Sequence, residues 1–154
     1  MTPEETLRAT TEYLKALQDM KKKYVAVGLP AGKVTGKVYG NGFTVVDNGI
    51  VHEFGAGNVP ERSFLRAPFT IKKSEINKAI EKQFANVGSG RADADTALNL
   101  IGVVARNISV EAFDNGGYGT WPDITQDTKD AKGSSAILID TGLLRGSITW
   151  EVRE

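Results

Sequence analysis

The chain has 154 residues, 40% hydrophobic and 25% charged, a composition ordinary for a soluble globular protein and long enough for one core burying roughly two-thirds of the unfolded surface. Its 19 basic residues equal its 19 acidic ones, which argues against wholesale wrapping of nucleic acid. The absence of cysteine and the single histidine, His52, exclude a disulfide framework, thiolate metal sites and a usual zinc site, and no apolar run approaches the roughly 20 residues needed to span a bilayer. One domain over 1–154 is expected, without cofactor or metal, and the polar N-terminal stretch has no secretion-signal pattern.

Thr2-Pro3-Glu4-Glu5 reads as a helix start, with Thr2 as cap, Pro3 at the first helical position and Glu5 completing a capping box. Leu7, Leu14, Leu17 and Met20 then mark the apolar face of a helix running to about Lys21. Lys21-Lys22-Lys23 complements the negative end of its dipole. Tyr24 to Val27, closed by Gly28, reads as a strand. Residues 28–42 hold glycines at 28, 32, 36, 40 and 42 with Lys33, Lys37 and Tyr39 between them, and read as a flexible or hairpin-like arm. The spacing is not that of a phosphate-binding loop. Phe43 to Val51 fits a strand broken at Asn48-Gly49 as well as a short helical turn.

His52 to Arg66, HEFGAGNVPERSFLR, is too punctuated for helix or strand and too rich in anchors for a linker. Phe54, Phe64 and Leu65 are large enough to demand burial, while Glu53, Arg62 and Arg66 are suited to recognition. The two arginines, four apart, can pair with Glu53, Glu61 or a neighbour's carboxylates. Next, Ile76, Ile80, Phe84 and Val87 recur at helical spacing, with Pro68 near the start and Gly88-Ser89-Gly90 at the end. Asp93 or Asp95 can cap a further helix, the most buried one, whose stripe is Leu98, Ile101, Ala105, Ile108 and Ala112, widened by Leu100 and Val104. Asn115-Gly116-Gly117 stops it. Residues 116–135 form a long polar loop carrying Tyr118 and Trp121, too long for an ordinary connection and therefore a candidate for partner contact.

Near the end, Ile137-Leu138-Ile139 reads as a buried run, Asp140 and Thr141 as the cap of a short helix through Ser147, and Ile148, Trp150 and Val152 as the inner side of a half-buried strand. This order implies an α+β fold: a small, mostly antiparallel sheet against three main helices, with long loops or arms. Asp140-Thr141-Gly142 also matches the aspartic-protease triplet, but a single copy with twelve residues after Gly142 leaves no room for the strands such an enzyme needs. His52-Glu53 could orient a general base, yet neighbours in sequence diverge in direction and no nucleophile motif accompanies them. A hydrolase using Asp140 or His52 is thus the lesser reading, as is DNA binding through Lys21 to Lys23, Lys33 and Lys37.

Two stretches, His52-Glu53-Phe54-Gly55 with Pro60-x-Arg62-x-Phe64-Leu65-Arg66, and Leu138 to Ile148, stand in an order that resembles the tailed-phage family of virion-morphogenesis, tail-completion or head-tail connector (neck) proteins. Ser63 stands where that family often has proline. The resemblance implies a structural, non-enzymatic virion protein, assembled in the host cytoplasm. It would form a homo-oligomeric ring, of six or twelve copies, between portal or adaptor connector proteins and the tail terminator or tail-tube proteins, with DNA passing through unbound. A tail terminator capping the tube is the alternative within the family. The expected interface residues are His52, Glu53, Phe54, Arg62, Phe64, Arg66, Lys33, Lys37, Tyr39, Tyr118 and Trp121.

Overall fold

The structure, a computed structural model, describes residues 1–40, 42–123, 130 and 142–154. Among them run α1 (Pro3–Lys21), β1 (Tyr24–Gly28), α2 (Ala31–Val34), α3 (Val45–Phe54), α4 (Arg66–Ile71), α5 (Lys73–Gly88), α6 (Ala94–Asp114), α7 (Leu143–Ser147) and β2 (Thr149–Arg153). The fold is α+β, as the element order implies, and no helix among the described residues is long and apolar enough to cross a membrane. The apolar run from Ile137 to Ile139, the Asp140 and Thr141 cap, and residues 124–129 and 131–135 of the long loop lie outside the described residues. Gly142, at φ 66°, takes the N-cap position of α7.

Local signals set the helix starts. Thr2 Oγ accepts from Glu5 N at 3.2 Å while the Glu5 carboxylate accepts from Thr2 N at 2.6 Å, closing the capping box of α1. Asp93 caps α6, accepting from Thr96 N at 2.7 Å, and Asp95 instead pairs with Lys23 at 2.7 Å. Thr44 and Asp47 form a second capping box, which resolves Phe43 to Val51 in favour of helix. Gly49 does not break α3, because it is buried where a Cβ would come within 2.5 Å of Leu29, so its smallness serves packing. Pro68 lies in the first turns of a separate short helix, α4, and the chain bends at Lys72 before α5 begins.

Helix α6 is the spine. Ala97, Leu98, Ile101, Ala105, Ile108 and Ala112 are buried along it, whereas Leu100 falls off that stripe and is exposed. Its first half packs with Met20 and Val87, and its second half faces a core of Val34, Val45, Phe64, Phe113, Leu144 and Ile148. Among the described residues the sheet is one antiparallel pair, β1 with β2, in the register Tyr24↔Arg153 to Gly28↔Thr149. It lies on α6 at Gly102, where a Cβ would fall 2.1 Å from the Trp150 ring, and Trp150 Nε1 donates to Asn99 Oδ1 at 3.1 Å.

One expectation fails here, because apolar spacing alone does not say which of two overlapping faces packs. In α1 the inner face is Tyr13, Ala16 and Met20, with Tyr13 lying against Gly88, and the first fifteen residues are all exposed, Leu7 at 70% and Leu14 at 53%. The 28–42 arm is partly tied down. Val34 of α2 is buried in the core, and Val38 bridges Thr44 to make the hairpin-like return.

Candidate functional site

His52, Glu53 and Phe54 are the last turn of α3 rather than the start of a loop, and Gly55, at φ 72°, turns the chain out of the helix. The chain bridges Ala56 to Val59 and comes back so that Arg62 N donates to His52 O at 2.7 Å. Glu53 points inward between the outgoing and returning segments, 4% exposed. Its Oε2 accepts from Phe64 N at 2.8 Å and Leu65 N at 3.0 Å; its Oε1 accepts from Ser63 Oγ at 2.8 Å and from Arg66 N and Nε at 3.0 Å each. These amides precede and open α4, where a helix has no carbonyl acceptors of its own and favours an anion. One carboxylate therefore does for α4 what a bound anion would do. Arg66 completes the clamp with its other nitrogen, donating to Glu53 O at 2.7 Å and to Glu61 Oε1 at 3.0 Å.

The residue types around the clamp follow from the same accounting. Ser63 both donates to Glu53 and accepts from Ala67 N at 2.9 Å, a bridge that proline could not make. The backbone carbonyls of the segment are satisfied from elsewhere: Phe64 O accepts from Ser109 Oγ at 2.6 Å, and Ser63 O from Trp121 Nε1 at 2.9 Å. Trp121 stands edge-on to Phe113, with centroids 5.3 Å apart, and Phe113 lies 5.6 Å from Phe64. Arg62 is buried and donates to Pro122 O at 3.0 Å and Asp123 O at 3.2 Å; burial lowers its pKa, with Asp123 acting against that, and it stays cationic. Two loops that the sequence offered as separate contact regions are thus one interlocked unit.

Of the expected interface residues, the structure brings together His52, Glu53, Arg62, Phe64, Arg66 and Trp121, and turns Glu53, Arg62 and Phe64 inward. Tyr118 adjoins this unit at φ 58°, donating to Ile108 O at 2.9 Å and to Glu111 Oε2 at 3.1 Å; burial and the Glu111 contact push its phenol above the ordinary value. Lys33, Lys37 and Tyr39 sit apart. Lys33 donates to Trp150 O at 2.6 Å, Lys37 to Ser147 Oγ at 3.4 Å, and Tyr39 Oη accepts from Asn48 Nδ2 at 2.8 Å, so all three hold the 28–42 segment to the body.

Phe54 is the correction that matters. Expected as a buried anchor, it is 59% exposed, with the Arg66 guanidinium 4.4 Å above its ring. Ile50, one turn earlier on α3, is 53% exposed beside it, and the two border an apolar pocket of about 230 Å³ with Leu29, Val46 and Leu65. The outer face of the clamp is therefore aromatic, aliphatic and cationic at once. Ile50 is absent from the sequence-derived residues because its neighbourhood with Phe54 exists only if 45–54 is helical, a fact signalled by the Thr44-x-x-Asp47 cap. Comparison of the chain with protein-family models, curated proteins and solved structures finds no match.

Proposed function

We propose that the chain is a structural subunit of a tailed-phage neck, a connector or tail-completion protein that assembles as a ring joining the head connector to the tail. The observation that carries this reading is the Glu53 clamp. It gives the residue pattern His52 to Arg66 a physical purpose, the rigid presentation of Ile50, Phe54 and Arg66. Aromatic and arginine side chains held firmly on an outer face are what protein interfaces use as energetic anchors. The second stretch of the resemblance meets the first in the interior, since Leu144 and Ile148 pack in the same core as Phe64. With five donors on its carboxylate, Glu53 serves as a structural anion; that favours assembly over the hydrolase alternative. The balance of 19 basic against 19 acidic residues also suits a wall past which DNA moves, because strong phosphate binding would retard it.

The test is native mass measurement and electron microscopy of the full chain, alone and with portal-side and tail-tube proteins. Rings are expected, and Phe54→Asp should abolish their docking to a partner, or their formation, while leaving the far-UV spectrum and melting temperature unchanged. A chain that remains monomeric and binds no head or tail component refutes the proposal.

A further inference from the structure

The two edges of the sheet are treated differently. The register runs from Tyr24↔Arg153 to Gly28↔Thr149 with no ladder bond beyond either end, so the pairs that exchange hydrogen bonds are Tyr24, Ala26 and Gly28 with Arg153, Glu151 and Thr149. The alternate residues therefore aim their N–H and C=O away from the pair. On the β2 side that edge is guarded by cations: Lys33 Nζ donates to Trp150 O at 2.6 Å, and Arg106 Nε to Ile148 O at 3.3 Å just before the strand. On the β1 side the edge is bare, since no group among the described residues bonds there to the backbone of Val25 or Val27. Proteins ordinarily cap, charge or cover such an edge, because it is a template for another strand.

Beside that bare edge lies a slot. An apolar groove of about 400 Å³ runs between Val25 and Val27 of β1 and Phe84 of α5, with Leu98, Ile101 and Ala105 of α6 as its floor. At about 100° per residue, these floor residues are turned about 100° around α6 from Asn99, Gly102 and Arg106, which meet Trp150 and Ile148 on the β2 side. The groove is thus on the far side of β1 from β2, where a third strand would lie. Val25 and Val27 are half-buried along it, and Phe84 stands 45% exposed at its rim.

We infer that this slot takes one extended segment of a partner protein, laid along β1 as a third strand, with every second side chain apolar and set against Ile101 and Phe84. The free N–H and C=O groups of Val25 and Val27 specify an extended backbone, because a helix keeps its backbone bonds to itself and would leave them unmet. The apolar floor and wall specify alternate apolar side chains, since successive side chains of a strand face opposite ways. A second copy does not supply the strand from its described residues: its β1 comes with β2 alongside and α6 behind, too broad for a slot bounded by α5, and its β2 edge is held by Lys33 and Arg106. A third strand also relieves the weakness of a two-stranded sheet, which is marginal without further partners. The inference is independent of the neck reading, whose anchors are Ile50, Phe54 and Arg66.

The probe is a random octapeptide library selected on the immobilised full chain. Enriched peptides should carry apolar residues at every second position, and saturating amounts should slow amide exchange at Val25 and Val27. Binding should fall about tenfold in Val27→Pro and in Phe84→Asp, and Phe54→Asp should leave it unchanged. Val27→Pro removes an outward N–H and spares the bonds to β2, so its melting temperature should hold; N-methylation of alternate peptide amides makes the same test from the ligand's side, whatever that variant does to the fold. No enrichment, apolar residues spaced three and four apart, or binding that survives both Phe84→Asp and N-methylation overturns the inference. So does slowed exchange at Val25 and Val27 that rises with the concentration of the chain alone, which would put a second copy in the slot.

Discussion

The two ends of α6 are held by opposite means. Around its second half every connection is specific: a buried carboxylate with five donors, a serine on a backbone carbonyl, and a tryptophan whose ring and N–H are both engaged. Around its first half the packing is apolar, Ala94, Ala97 and Leu98 against Met20 and Val87, and beside it lie an open groove and a helix with leucines in solvent. A buried polar network is strong only when complete, and it then fixes one geometry; an open apolar face fixes nothing until something covers it. One end is closed within the single chain; the other leaves apolar surface open to solvent.

The comparison can be broken most severely at Glu53. Glu53→Ala leaves three backbone amides, a buried serine and one arm of Arg66 without their acceptor, and should cost about 3–5 kcal/mol in denaturant unfolding, a large share of the 5–15 kcal/mol typical of a domain. A loss below about 1 kcal/mol would mean that the clamp is ornamental. Trp121→Phe keeps most of the ring contact with Phe113 but strips Ser63 O of its donor, and should cost about 1–2 kcal/mol by the same measurement.

The smallest effect sharpens the contrast from the other end of the spine. Asp93 has its pKa held below the ordinary 3.8 by the Thr96 backbone N–H and hydroxyl, so the folded state prefers the carboxylate. Its contribution is present above that ordinary value and fades as pH falls through the lower folded value. Because Asp93 is fully exposed, the result should be a shallow acid destabilisation below about pH 4, absent in Asp93→Asn, which still caps but does not titrate. Melting curves from pH 2 to 6 would reveal it.

Much of this architecture was legible in the residues. Thr2 with Glu5, and Asp93 before an apolar stripe, announce helix starts because capping is a contact between residues three apart. The stripe of α6 was legible because it is long and regular. What was misread turned on choices a periodic pattern does not encode. Leu7 and Leu14 are better hydrophobes than Ala16, yet alanine allows the close approach the packed face requires. Gly49 looked like a break because glycine usually disfavours a helix, and only Leu29, distant in sequence, explains it. The role of Glu53 was hidden for a related reason: its partners lie ten to thirteen residues on, and no short repeat reports a carboxylate reaching across a turn.

Gly102 gives the sheet something that two strands alone lack. A pair of five-residue strands has few cross-strand contacts with which to reject a shifted alignment, and a shift of one residue would exchange its two faces. The indole of Trp150 sits in the notch that the missing side chain leaves on α6, and only one position along β2 can place it there. The notch thus works as a keyway: α6, not the neighbouring strand, indexes β2, and the last residues of the chain are aligned by a helix formed some fifty residues earlier.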